Sequence, residues 1–114
     1  MTENGKRQLF LAEQENVLTI CGEIDYANAT KLLRRLSRLR SMYDTVVVDI
    51  GGVTYMDSTG FGSLLRVCRE LRHRGGQMVL RHPSVHVHRM LEVMDMLRFF
   101  SVEEKLPESP CQPL

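Results

Sequence analysis

Hydrophobic positions fall in short blocks along this chain, and the blocks alternate between two periods. Val17–Cys21 reads Val-Leu-Thr-Ile-Cys, an apolar and β-branched run that predicts a strand. The shorter mixed run Gln8–Ala12 precedes it across a polar break, Glu13-Gln14-Glu15-Asn16, so the two are expected to pair as a hairpin. Past Asp25 the period changes. Ala29, Leu32, Leu33, Leu36 and Leu39 recur at helical spacing, and Asp25 stands where a helix N-cap belongs, its carboxylate able to accept first-turn amides. The other side of this helix carries Lys31, Arg34, Arg35 and Arg38, a basic face that is either solvated or turned to an acidic partner.

Thr45–Ile50 (Thr-Val-Val-Val-Asp-Ile) is a nearly continuous β-branched run, as expected of a central strand buried on both faces. Asp49 is read as its end, satisfying nearby loop amides, and Gly51-Gly52-Val53-Thr54-Tyr55-Met56 as a loop. From Ser58 a second helix is predicted, with Phe61, Leu64, Leu65, Cys68 and Leu71 on one face and Ser63, Arg66, Glu70 and Arg74 elsewhere. Gly75-Gly76 ends it. Met78–Leu80 is a short strand, Pro83 opens a third helix over Ser84–Met94, and Leu97–Val102 is a candidate edge strand. Strands that alternate with helices imply parallel pairing with right-handed crossovers. The expected fold is α/β, with a mixed, mostly parallel sheet of roughly four to five strands and helices packed against it. Residues 1–7 are read as a flexible start, 8–106 as the domain, and the Pro-rich 107–114 as a disordered tail.

Composition narrows the function. The 114 residues fit one domain, and a net charge of +1 gives no electrostatic footprint for nucleic acid. No apolar run approaches the roughly 20 residues that span a bilayer, and the polar start lacks a signal-peptide core, so a cytoplasmic setting without membrane attachment is expected. The three cysteines show no CxxC spacing; Cys21 and Cys68 sit inside apolar patterns, as buried small side chains in a reducing compartment would. His82, His86 and His88 are close in sequence but form no full ligand set and, with His73, are read as solvated; no metal or cofactor is expected.

The chemistry concentrates in Asp57-Ser58-Thr59-Gly60, past the carboxyl end of the central strand and at the amino end of a helix. A phosphate on Ser58 there would meet free helix amides and the positive helix end, and would add roughly −1.5 to −2 charges to one surface spot. The same residues also serve as a plain N-cap. A nucleophile elbow is excluded because Met56 stands where its first glycine belongs, and no GxGxxG or GxxxxGK[ST] element favours a nucleotide sensor.

Val46-Val47-Val48-Asp49-Ile50, Val53 and Asp57-Ser58-Thr59-Gly60, together with Gly22-Glu23-Ile24-Asp25, Arg74-Gly75-Gly76 and the closing Val87–Phe100 segment, resemble the STAS domain family over about residues 8 to 103. Within it the resemblance is to bacterial anti-sigma factor antagonists. That resemblance implies a non-enzymatic module. It would bind an anti-sigma factor that is also a serine kinase, freeing a sigma factor, and would be released when the kinase phosphorylates Ser58, with Thr59 the alternative acceptor. A PP2C-type phosphatase would reverse the step. Asp25, Tyr55, Met56, Asp57, Thr59 and Gly60 are the expected partner-contacting residues, in a monomer or weak homodimer. The alternative is a STAS scaffold or subunit of a stress-sensing or lipid-transport complex, without serine phosphorylation. The chain departs from the family at Met94-Asp95-Met96-Leu97, where relatives carry a Thr-Gly-Leu-like turn.

Overall fold

A computed structural model describes residues 8–103. The segments read above as a flexible start (1–7) and a disordered tail (107–114) lie outside the described residues, as do 104–106. The element order is β1 (Leu9–Gln14), β2 (Val17–Ile24), α1 (Ala29–Met42), β3 (Thr45–Met56), α2 (Ser58–His73), β4 (Gln77–Arg81), α3 (Val85–Val93), a 3-10 turn at Leu97–Phe99, and β5 (Ser101–Glu103). The five strands form one mixed sheet in the order β1-β2-β3-β4-β5. Only the β1/β2 hairpin is antiparallel; β2/β3, β3/β4 and β4/β5 are parallel. The expected α/β architecture is the observed one.

Period-two alternation decides what each strand buries. Leu18, Ile20, Val46, Val48, Ile50, Met78 and Leu80 point to one face and form the core with Ala29, Leu32, Leu36 and Leu39 of α1 and Phe61, Leu64, Val67, Cys68 and Leu71 of α2. Val46–Ile50 is buried throughout, as a central strand should be. The polar break after the first strand is shorter than its composition suggests. Glu13 and Gln14 continue β1, and Glu13 turns inward to pair with Arg35 of α1 at 3.0 Å. This takes Arg35 out of the basic face, whereas Lys31, Arg34 and Arg38 are exposed.

The largest departure from the sequence reading is β3. Gly51–Met56 is strand, not loop, and Asp49 lies in mid-strand. Two bulges explain it. Thr19 faces Asp49 while Cys21 faces Gly52, and Gly22 faces Val53 while Glu23 faces Tyr55, so β3 carries one extra residue in each interval. Bulges break the alternation on which strand recognition rests. They also carry β2 and β3 together to Ile24 and Met56, well past the last β3/β4 pair at Asp49 and Arg81. The sheet therefore has a two-stranded tip, and the Asp25 and Asp57 loops leave it side by side.

Helix ends follow one device with two residues. After α2, Gly75 takes a left-handed φ of 88°, and Gly76 N donates to Leu71 O while Gly75 N donates to Arg72 O. After α3 the same bond pair forms from Met96 N to Leu91 O and from Asp95 N to Glu92 O, but Asp95 holds the left-handed position at φ 56°. The glycine expected from the resemblance is thus replaced without loss of the turn, and both Met96 and Leu91 stay buried. Asp95→Gly is expected to raise stability by roughly 0.5 kcal/mol, relief of the left-handed cost exceeding the added unfolded-state entropy. Urea unfolding with an unchanged m-value measures this; a loss of stability would contradict it.

Cys68 is fully buried and donates to Phe99 O at 2.9 Å. Burial pushes its thiol pKa up from 9.0, against smaller opposing effects from the Arg72 guanidinium and the Met78 backbone. The folded state therefore holds this proton more tightly than the unfolded chain. The resulting stability is complete below pH 9.0 and is lost as pH rises toward the folded pKa. Unfolding free energies measured from pH 8 to 11 are expected to fall less steeply in Cys68→Ala than in wild type; parallel slopes would refute the linkage.

Candidate functional site

The site is built on the tip of the β2/β3 pair. Asp57 leaves β3 with extended backbone and becomes the N-cap of α2. Its Oδ1 accepts from Thr59 N at 2.9 Å and Gly60 N at 3.1 Å, two of the amides that a helix start leaves without partners. Its Oδ2 accepts from Tyr26 N at 3.2 Å, across to the neighbouring loop. Asp57 N in turn donates to Ile24 O at 3.1 Å. One carboxylate thus fixes both the helix start and the spacing of the two loops.

The Asp25 loop is organised by a reciprocal pair. Asp25 Oδ1 accepts from Ala27 N at 3.0 Å and Asn28 N at 3.2 Å, Asn28 Oδ1 accepts from Asp25 N at 2.9 Å, and Asn28 Nδ2 donates to Glu23 O at 2.9 Å. Asp25 therefore caps a turn that leads into α1, and the helix proper starts after Asn28. The sequence reading placed the cap at Asp25, three residues before the observed N-cap Asn28, because the Asp25–Asn28 turn bonds much as a helical turn does.

Ser58, the first residue of α2, and Thr59, the second, are exposed; Asp57 and Tyr55 are half-buried. The geometry corrects three expectations. The Thr59 and Gly60 amides are not free for a phosphate, since Asp57 already holds them. Met56 is 5% exposed and packs in the core, so its side chain presents no surface to a partner. Gly60 is buried as well, and its role is packing: a Cβ there would meet Met56 Cγ at 2.6 Å and Ile24 Cγ2 at 2.8 Å. Only glycine lets the first turn of α2 settle onto the sheet tip.

A STAS domain model matches residues 10–109. The chain belongs to the STAS domain family. An anti-sigma-B factor antagonist of Listeria monocytogenes is 31% identical over 91 residues, 76% of this chain and 80% of that relative. The crystal structure of an anti-sigma factor antagonist from Mycobacterium paratuberculosis superposes with a TM-score of 0.75 over 93% of this chain and 92% of that one, at 16% identity. The structure of the Bacillus cell fate determinant SpoIIAA in its phosphorylated form aligns with a TM-score of 0.62 at 21% identity, covering 85% of this chain and 90% of that one.

Two features of this STAS domain were not legible in its sequence. Tyr26 is 79% exposed at the tip, held there by its amide's bond to Asp57, and nothing in a lone tyrosine after an aspartate announces that bond. Asp49 is buried, its carboxylate 3.2 Å from His82 Nδ1 and 3.0 Å from Gly51 N. The loop-amide reading of Asp49 accounts for Gly51 only. His82 is correspondingly not a solvated histidine: its side chain is 18% exposed. It adopts a left-handed φ of 61° after β4, which turns the ring back toward β3. His86 is exposed, and His88 sits 3.8 Å from Glu92. Among the described residues no three His, Cys, Asp or Glu side chains are grouped to hold a metal ion, and no helix is long and apolar enough to cross a membrane.

Gly60→Ala is expected to cost about 1–3 kcal/mol through overpacking against Ile24 and Met56. Thermal or urea unfolding measures it. A neutral result would mean that the sheet tip yields, and that the glycine is not required for packing.

Proposed function

We propose that this STAS domain is an anti-sigma factor antagonist that binds an anti-sigma factor with serine-kinase activity and is released when Ser58 is phosphorylated. The observation that carries the reading is the placement of Ser58: an exposed hydroxyl on the first turn of α2, next to a carboxylate that already occupies the helix's anion position. The names of the relatives support the partner class, and the phosphorylated SpoIIAA supports modification of this kind of domain. The partner surface proposed here is Asp25, Tyr26, Tyr55, Asp57, Ser58 and Thr59. Thr59 is the alternative acceptor.

The step moves the γ-phosphoryl group of ATP to Ser58 Oγ, the serine proton being lost and ADP leaving. A phosphatase of the PP2C type would return the hydroxyl by hydrolysis. The phosphate brings roughly −1.5 to −2 charges beside Asp57. With the Thr59 and Gly60 amides taken by Asp57, the dianion is left largely to solvent or a partner. Buried at an interface it would cost desolvation and repel acidic groups, enough to remove several kcal/mol of binding. The same crowding presses against Asp57, whose Oδ2 holds the Tyr26 loop, so the surface changes in shape as well as in sign.

Ser58→Asp is expected to remain folded and to weaken partner binding by at least about a hundredfold, or roughly 2.7 kcal/mol. Ser58→Ala is expected to bind like wild type and take up no phosphate from the kinase. Pull-down with both variants, circular dichroism and radiolabel incorporation decide it. Equal capture of one non-kinase assembly by wild type and Ser58→Asp would overturn the switch and favour a scaffold subunit.

A further inference from the structure

Three guanidinium groups gather at the end of α2 remote from Ser58. Arg69, Arg72 and Arg98 lie 5.7, 5.9 and 5.1 Å from the centre of the Phe99 ring. Beside them a cleft of about 370 Å³ opens between the end of α2 and the β4/β5 edge, lined by Arg72, Gly76, Gln77, Arg98, Phe99 and Ser101. We propose that this cleft binds an acidic peptide segment of a protein partner, independently of the Ser58 surface.

The argument starts from charge balance. Five other arginines are matched, Arg35 with Glu13, Arg40 and Arg66 with Glu70, Arg74 with Asp44, and Arg81 with Glu103, whereas Arg34, Arg38 and Arg89 are exposed and spread over other faces rather than gathered on one ring. Within the cluster Arg98 pairs with Asp95, at 3.5 Å and with both side chains largely exposed, where such a pair contributes little. Among the described residues Arg69 and Arg72 face no carboxylate. The like charges are held close by the fold rather than by a counter-ion. Arg72 donates to the carbonyls of Arg98 and Phe99 at 3.2 and 3.3 Å, and Cys68 donates to the Phe99 carbonyl from below. These bonds lock the 3-10 turn onto α2, so the platform exists before a ligand arrives and little ordering cost remains. Guanidinium forks match carboxylates bidentately and stack on aromatic rings, as here. The cleft is too large for a single small oxyanion and suits a short run of side chains.

The domain is titrated with a Glu-rich decapeptide and, in parallel, with its Gln-rich counterpart, following backbone amide shifts. Saturable shifts at Gly75, Gly76, Gln77 and Ser101 are expected with the Glu peptide alone, weakening at least tenfold between 50 and 300 mM salt. Arg69→Glu with Arg98→Glu is expected to lose at least tenfold in affinity with the amide spectrum otherwise preserved. Arg34→Glu with Arg38→Glu, on the exposed face of α1, is expected to bind like wild type. So is Ser58→Asp, which separates this surface from the switch. Absence of saturation, equal binding of the Gln peptide, or shifts that map to the α1 face would overturn the proposal.

Discussion

The carboxylate of Asp57 is the joint on which the functional end of this domain depends. It accepts from Thr59 and Gly60 through one oxygen and from Tyr26 through the other. Loss of an N-cap acceptor typically costs about 1 kcal/mol. Here the loss would do more than fray a helix, because the same group also ties the Tyr26 loop to the start of α2. The bond set also explains why an acidic residue belongs before Ser58. An asparagine has one carbonyl oxygen to offer, whereas three amides approach from two directions.

That joint works only because the sheet beneath it ends in the right register. β2 and β3 pair out to Ile24 and Met56, and two bulges on β3 bring them there together. Gly60 then lets α2 close onto those two side chains. The four-residue motif therefore divides its labour: Asp57 bonds, Gly60 packs, and Ser58 and Thr59 alone are left outward. The division also explains why a motif that reads as chemistry is half structural.

Much of this was written in the sequence, and what was not has a physical reason. Alternating periods gave the strands and helices, since Leu18/Ile20 and Val46/Val48/Ile50 repeat every second residue and Leu32/Leu36/Leu39 every third or fourth. The glycines at 75 and 76 marked a true helix end. Gly51–Met56 misread as loop because a bulged strand has no steady period and two glycines mimic a turn. Asp49 and His82 were each interpreted locally, one as a strand end and one as solvated, although they meet across 33 positions. Such a contact depends on the β3/β4 register and on a left-handed backbone at a non-glycine residue, neither of which a local pattern encodes. Tyr26 and Met56 went the same way: exposure at a sheet tip follows from where the strands stop, not from hydropathy.

Charge along α2 ties the two ends of the molecule together. The amino end carries Asp57, with Asp25 on the adjoining loop, and the carboxyl end carries Arg69, Arg72, His73 and Arg74. A helix exposes partial positive charge at its start and partial negative charge at its end, so this distribution favours the helix at both termini. A phosphate on Ser58 would add negative charge to the end that already tolerates it. The fold consequently has little reason to yield on phosphorylation, and the effect falls on whatever sits against the surface. A domain arranged this way can change sign at one pole without changing shape at the other, which suits a module that must stay folded while it exchanges partners.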